Sequence, residues 1–129
     1  MEEIIERRRE HRLRYQWPIW FAEDFNEVLS QGQMVDISSG GAAFTCSADE
    51  SCPYPGQRVT ARFSVPRFAL DSSFDMASFT RHGRVCRVEE INGFVRRVAI
   101  QFAEPLPFKP GEQVGADADT EEKLKAVTI

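Results

Sequence analysis

Short segments of alternating apolar and polar residues recur along this chain, with turn-forming residues between them. Because successive side chains of a strand point to opposite faces of a sheet, such alternation predicts half-buried strands. In residues 57–65, for example, every second residue is apolar and the others are mostly polar or charged. Asn92-Gly93, between the last two segments, is a strong hairpin signal. The chain is therefore predicted to be all-β, with strands at 15–21, 27–37, 42–46, 57–65, 79–89 and 94–102.

Six short strands joined by turns favour a closed antiparallel barrel, because closing the sheet removes edges that would pair with other chains. Pro18 predicts an edge or a bulge in the first strand, and Gly32 predicts a bulge in the second. Residues 67–78 lack a clean period, which predicts a long loop that either caps the barrel, the default, or meets a partner.

A length of 129 residues fits one domain. We divide the chain into an arginine-rich arm at 1–12, a barrel at 13–112, and a tail at 113–129. Favourable Glu-to-Lys or Glu-to-Arg spacings predict a short helix in the arm and another in the tail, although each segment could also be irregular.

Composition narrows the class of protein. Apolar residues make up 42% and charged residues 28%, which is ordinary for a globular protein, and no apolar run approaches the ~20 residues of a membrane span. The acidic start of the chain differs from a secretory signal, so we expect a cytoplasmic protein. The net charge of −4 argues against a general nucleic-acid binder. Three cysteines without C-x-x-C spacing and two histidines predict no metal site.

The segment Asp36-Ile37-Ser38-Ser39-Gly40-Gly41 leaves the second predicted strand through a polar turn. In an extended chain Asp36 and Ser38 project from one face, whereas Val35 and Ile37 project from the other. The paired glycines allow a ligand to approach the main chain closely. By itself this segment indicates a turn, because Asp and Ser often bond their own backbone.

A second cluster, Arg7-Arg8-Arg9-Glu10-His11-Arg12, lies in the arm. Together the two segments give the spacings Arg8-x-x-x-Arg12 and Asp36-x-Ser38-x-x-Gly41, in that order. From about Arg7 to Pro110 the chain resembles the PilZ domain, the bacterial receptor module for cyclic di-GMP.

The resemblance implies a six-stranded antiparallel barrel with short terminal helical segments, and a site for cyclic di-GMP. By this resemblance, the two motif arginines each bind a guanine edge or a phosphate, the aspartate accepts guanine hydrogen bonds, the serine donates or accepts, and the glycines leave room. The motif residues concerned are Arg8, Arg12, Asp36, Ser38, Gly40 and Gly41. Arg7 stands where the family's arginine accompanies an intercalated pair of ligand molecules.

Three residues on the later strands are further candidates. Arg84 and Arg97 could contact phosphate, and Ala99 on the face of Arg97 could leave space for a base. The alternative, that these are ordinary solubilising surface residues, stays open.

The sequence lacks the common nucleophile, P-loop and dinucleotide-binding patterns, so we do not expect an enzyme. The expected function is that of a receptor without cofactor or metal, whose arm is mobile until it clamps cyclic di-GMP and which then signals to a downstream protein. Two alternatives remain: a PilZ-like adaptor that binds protein and no nucleotide, and a basic arm that binds anionic lipid or RNA without specificity.

Overall fold

The computed structural model describes residues 10–24, 28–71 and 73–114. This part of the chain is all-β, as predicted, with a single 3-10 turn at Pro110–Glu112. The strands are β1 Leu13–Arg14, β2 Pro18–Ala22, β3 Ser30–Ile37, β4 Gly41–Ser47, β5 Arg58–Phe68, β6 Phe74–Glu90 and β7 Val95–Phe102.

The strands close into the predicted six-stranded antiparallel barrel. Their order is β3-β2-β5-β6-β7-β4, and β4 pairs back with β3 to complete the ring. The two-residue β1 pairs with the end of β3, through Leu13 with Ile37 and Arg14 with Asp36. This pairing lays the end of the arm against the strand that carries Asp36.

The barrel interior is filled by the alternate side chains of its strands. In β5 the inward residues are Val59, Ala61, Phe63 and Val65, as the alternation predicted, and each is at most 3% exposed. The ring of Phe63 stacks on that of Phe102 from β7, with centroids 5.4 Å apart. Burying an apolar side chain of this size contributes roughly 1.5–3 kcal/mol, so the interior residues stabilise the barrel.

The bulge in β3 lies at Val35, so its prediction at Gly32 was wrong. Met34 pairs with Phe44 and Asp36 pairs with Ala43, which leaves Val35 without a partner across from β4. Glycine at position 32 is explained by close packing instead, because a Cβ there would lie 2.6 Å from the backbone oxygen of Thr45.

The bulge changes which side chains share a face. Met34 and Ile37 are both fully buried in the core although they are three residues apart, because the extra residue interrupts the alternation. The prediction that Val35 and Ile37 share a face was therefore wrong. Pro18 is not on a sheet edge either: it is the first residue of β2, which pairs with β3 on one side and β5 on the other.

The predicted loop at 67–78 is mostly strand. β5 and β6 pair without interruption from Arg58 with Arg84 to Phe68 with Phe74, and form a long hairpin. The last residue of β5 that pairs with β2 is Phe63, opposite Ile19, and the hairpin continues beyond it. Beyond this point neither face of β6 is fully buried, so apolar and polar residues alternate only weakly. The rings of Phe68 and Phe74 pack together at 5.3 Å near its tip.

The last hairpin confirms the signal at Asn92-Gly93. The side chain of Asn92 accepts hydrogen bonds from the backbone of Phe94 and Val95 at 2.7 and 3.0 Å.

Among the described residues, no helix is long and apolar enough to cross a membrane. Of the predicted arm helix, residues 10–12 are described and are not helical, and most of the tail, from residue 115 on, lies outside the described residues.

Candidate functional site

The arm and the end of β3 meet in an ion pair. Arg12 directly precedes β1, and the pairing of β1 with β3 brings its side chain to Asp36. Arg12 Nη1 donates to Asp36 Oδ1 at 3.0 Å. Asp36 is 8% exposed, so the carboxylate end of the pair is partly shielded from water.

A second arginine reaches the same carboxylate from β7. Arg97 Nη2 lies 3.4 Å from Asp36 Oδ2, so two guanidinium groups share one aspartate. The three side chains together carry one net positive charge, which favours an anion nearby. Arg12 Nε is buried and donates to none of the described residues.

The turn after β3 is held by its own hydrogen bonds. Ser38 donates its backbone N–H to the Gly41 oxygen at 2.9 Å, and its hydroxyl accepts from Gly40 N–H at 3.3 Å. Gly41 is packed against β7, since a Cβ there would lie 2.5 Å from the Ile100 oxygen. Around Gly40, by contrast, nothing lies within 4 Å of such an atom. The two glycines therefore have different roles: one permits close strand packing, and the other leaves open space.

Small residues continue from this turn across the outer face. Ala43 pairs with Asp36 on one side and with Ala99 on the other. Ala99 is also the second residue after Arg97 on β7, as the sequence predicted, and is half-buried. The row from Asp36 through Ala43 to Ala99 thus carries short side chains beside the two arginines, and both Asp36 and Ala43 are buried.

The structure does not bring Arg84 to this cluster. Arg84 pairs with Gln101, which in turn pairs with Gly41, so two strand spacings separate Arg84 from the turn. Its side chain lines a groove of about 1030 Å³ together with Arg58 and His82. Arg7 and Arg8, the other predicted arm residues, lie outside the described residues.

Two residues that the sequence analysis missed join the arm to the turn. Ser39 donates its backbone N–H to Glu10 Oε2 at 2.8 Å and its hydroxyl to Glu10 Oε1 at 2.7 Å. The single acidic residue within the arginine cluster was the available signal for Glu10. Nothing in the pattern singled out Ser39.

A further contact joins the arm to the 3-10 turn that follows β7. His11 N–H donates to Glu112 Oε2 at 3.0 Å. The 3-10 turn approaches so closely that a Cβ on Gly111 would collide with the His11 backbone oxygen. The described end of the arm is therefore docked on the barrel.

No group of three or more His, Cys, Asp or Glu within the described ranges is placed to hold a metal ion. Cys46 is buried, and burial raises the pKa of its thiol to about 12, so it stays protonated at neutral pH. The side chains gathered at Asp36 are suited to hydrogen bonding and to neutralising an anion.

Comparisons with known proteins agree with this architecture. No curated protein matches the sequence. Among solved structures, the fold is similar to that of the Bacillus subtilis inhibitor of motility (MotI/DgrA), with a TM-score of 0.62 and 17% identity. The match covers 80% of this chain and 46% of that one, so the chain spans less than half the length of that relative. At this identity the likeness shows the fold alone. The family model described as PilZ domain matches residues 6–116, and the chain therefore belongs to the PilZ domain family.

Proposed function

We propose that this PilZ domain is a receptor for cyclic di-GMP. The observation that supports the proposal is the contact between the two halves of the motif: Arg12 of the arm lies 3.0 Å from Asp36, at the entrance to the Ser38–Gly41 turn. A receptor for this ligand needs guanine recognition and phosphate neutralisation in one place, and this cluster offers both kinds of group.

The chemistry of each group matches a part of the ligand. An arginine fork fits the O6 and N7 acceptors of guanine or the oxygens of a phosphate. Asp36 only accepts hydrogen bonds when ionised, which suits the N1 and N2 donors of guanine. Ala43 and Ala99 pair beside Asp36, and their short side chains would obstruct a base less than larger residues would.

We expect binding to involve an exchange of partners at Asp36, because each of its oxygens is in contact with an arginine. The Arg97 contact is the longer of the two, at 3.4 Å, and the Arg97 side chain is 37% exposed. We expect guanine to replace Arg97 on the carboxylate, and the released guanidinium to turn to a phosphate.

The ligand is expected to bind as an intercalated pair. Arg7 adds a third consecutive arginine to the arm, and guanidinium groups stack well on the faces of bases. Two stacked ligands carry four phosphate charges. The single net positive charge around Asp36 would not neutralise them, so further arginines of the arm would be needed.

Signalling would follow from ordering of the arm. Since residues 10–14 are already docked, the change on binding would involve the residues before Glu10. The newly ordered arm would present or hide a surface for an unidentified protein partner in the cytoplasm. Neither catalysis nor a cofactor is needed for this role.

A second candidate function is that of an adaptor that binds protein and no nucleotide. The observation that favours it is the pairing of Asp36 with two arginines, since such a network also serves as a purely structural cross-link. The family spacing favours the receptor instead, because the described part of the chain keeps Arg12, Asp36, Ser38 and Gly41 of the motif.

A calorimetric titration with cyclic di-GMP, with GMP in parallel, tests the proposal. A receptor binds the dinucleotide tightly and GMP weakly, whereas an adaptor binds neither. A nonspecific basic arm would bind RNA or anionic vesicles with steep salt dependence and without preference for guanine.

A further inference from the structure

The middle of the arginine motif is attached to the glycine turn by a carboxylate. Glu10 lies two positions after Arg8 and two before Arg12 in the sequence. Each of its carboxylate oxygens accepts one hydrogen bond from Ser39, at 2.7 and 2.8 Å. Hydrogen bonds to a charged acceptor are among the stronger ones in proteins, and these are partly buried.

The contact between Glu10 and Ser39 does not involve the groups that we assign to the ligand. The groups that we assign to the ligand are the Asp36 carboxylate, the Arg12 guanidinium and the Ser38 hydroxyl, and none of them contacts Glu10. Glu10 instead takes the backbone N–H and the hydroxyl of Ser39, whose own carbonyl accepts from Leu106 N–H at 2.8 Å. Ser39 is thus bonded to the arm on one side and to the segment after β7 on the other.

We propose that Glu10 is a positioning residue, which holds the arginine motif against the turn so that the ligand meets a partly assembled site. This inference rests on the proposed function. A receptor whose competent state is populated only in part binds with an affinity reduced by that fraction. Glu10 raises the fraction in which the motif is docked, and so tightens binding without touching the ligand.

The opposite role, a built-in competitor, makes the opposite prediction. If the carboxylate occupied donors that a ligand phosphate needs, removing it would tighten binding. The sign of the change on substitution therefore separates the two roles.

The experiment measures cyclic di-GMP affinity by calorimetry for the wild type, Glu10→Ala and Glu10→Gln. We expect Glu10→Ala to bind roughly tenfold more weakly. Glu10→Gln should stay within about threefold of the wild type, because an amide can accept from Ser39 N–H and donate to its hydroxyl. Tighter binding by either variant would overturn the proposal, and so would an unchanged affinity of Glu10→Ala.

The control is Glu50→Ala, which removes the same charge from an exposed residue in the loop after β4. Its affinity should equal that of the wild type. A loss like that of Glu10→Ala would mean that the effect is not specific to Glu10, and would overturn the positioning role.

Hydrogen exchange of the Ser39 amide without ligand keeps the two proposals separate. The amide should be protected in the wild type and in Glu10→Gln, and exposed in Glu10→Ala. An unprotected amide in the wild type would disprove the contact itself. Protection that is lost in Glu10→Ala, in a protein that does not bind cyclic di-GMP, would instead overturn the proposed function and with it the ligand role of Glu10.

Discussion

Arg12 and Asp36 are 24 residues apart in the sequence, and their side chains meet at 3.0 Å. The two-residue β1 makes this possible, because it pairs with the end of β3 and so aligns the residue before it with the carboxylate. Backbone pairing thus brings one residue of the arm motif to one residue of the strand motif.

Replacing Arg12 by alanine should weaken cyclic di-GMP binding at least tenfold, about 1.4 kcal/mol, because the variant loses a guanidinium that faces the ligand. The free energy of unfolding should fall by only about 1 kcal/mol, since the Arg12 side chain is 31% exposed and Asp36 keeps its contact with Arg97. Calorimetry and urea denaturation measure the two effects.

The matched control for this variant is Arg67→Ala, which removes another arginine from an ion pair. Arg67 and Asp75 lie 3.3 Å apart on the β5–β6 hairpin, and both side chains are more than half exposed. Its affinity should not change. Equal losses in Arg12→Ala and Arg67→Ala would show that total positive charge, and not the site at Asp36, governs binding.

The two glycines of the turn should respond differently to alanine. Gly41→Ala places a Cβ against the backbone of Ile100, so we expect a loss of about 1–3 kcal/mol in the free energy of unfolding. Gly40→Ala has open space, and neither glycine has a positive φ, so its stability should change by less than about 0.5 kcal/mol. Thermal unfolding of the pair checks this, and equal stabilities would contradict the close contact between β4 and β7.

Stability should decrease in alkaline solution partly because of Tyr15. Burial raises the pKa of Tyr15 above its ordinary value, and its hydroxyl donates to the Ser64 oxygen at 2.8 Å. Above about pH 10 the unfolded chain loses the phenol proton while the folded chain keeps it, so stability is full below that pH and falls as pH rises.

Tyr15→Phe removes this dependence. At neutral pH the variant should be less stable by about 1 kcal/mol, because it lacks one hydrogen bond. From about pH 10 upward it should lose less stability than the wild type, although Cys46, with a raised pKa of about 12, keeps part of the alkaline slope. Parallel pH profiles for the two proteins would show that Tyr15 is not the titrating group.

Arg7 should determine how many ligands bind. For the wild type we expect a calorimetric stoichiometry of about two cyclic di-GMP molecules per chain, and for Arg7→Ala about one, because a stacking guanidinium is lost. A stoichiometry of one in both proteins would contradict the intercalated pair and leave the single-ligand receptor in place.

Much of the barrel was predictable because its signal is local. The alternation of β5 and the Asn92-Gly93 turn are written in neighbouring residues, and both predictions were confirmed. The hairpin between Phe68 and Phe74 was missed because pairing continues where the surrounding sheet ends and the two faces lose their contrast. The bulge at Val35 was missed because it depends on the register with β4, which no residue in β3 specifies alone.

The site divides in the same way. Arg12 and Asp36 were singled out by a family spacing, and the structure brings them together. Glu10 was not, because its partner Ser39 is 29 residues away and both look like ordinary surface residues. Arg84 looked equivalent to Arg97, and only the strand order separates them, with Arg97 at Asp36 and Arg84 in another groove.

The most direct test of the receptor is an NMR titration of the isotope-labelled chain with cyclic di-GMP. We predict saturable shifts in the backbone amides of Ser38–Gly41 and in the guanidinium signals of Arg12 and Arg97, with none at the hairpin tip near residues 69–73. Shifts confined to the hairpin, or to the groove that Arg58 and Arg84 line, would contradict binding at Asp36, and an unchanged spectrum would contradict binding altogether.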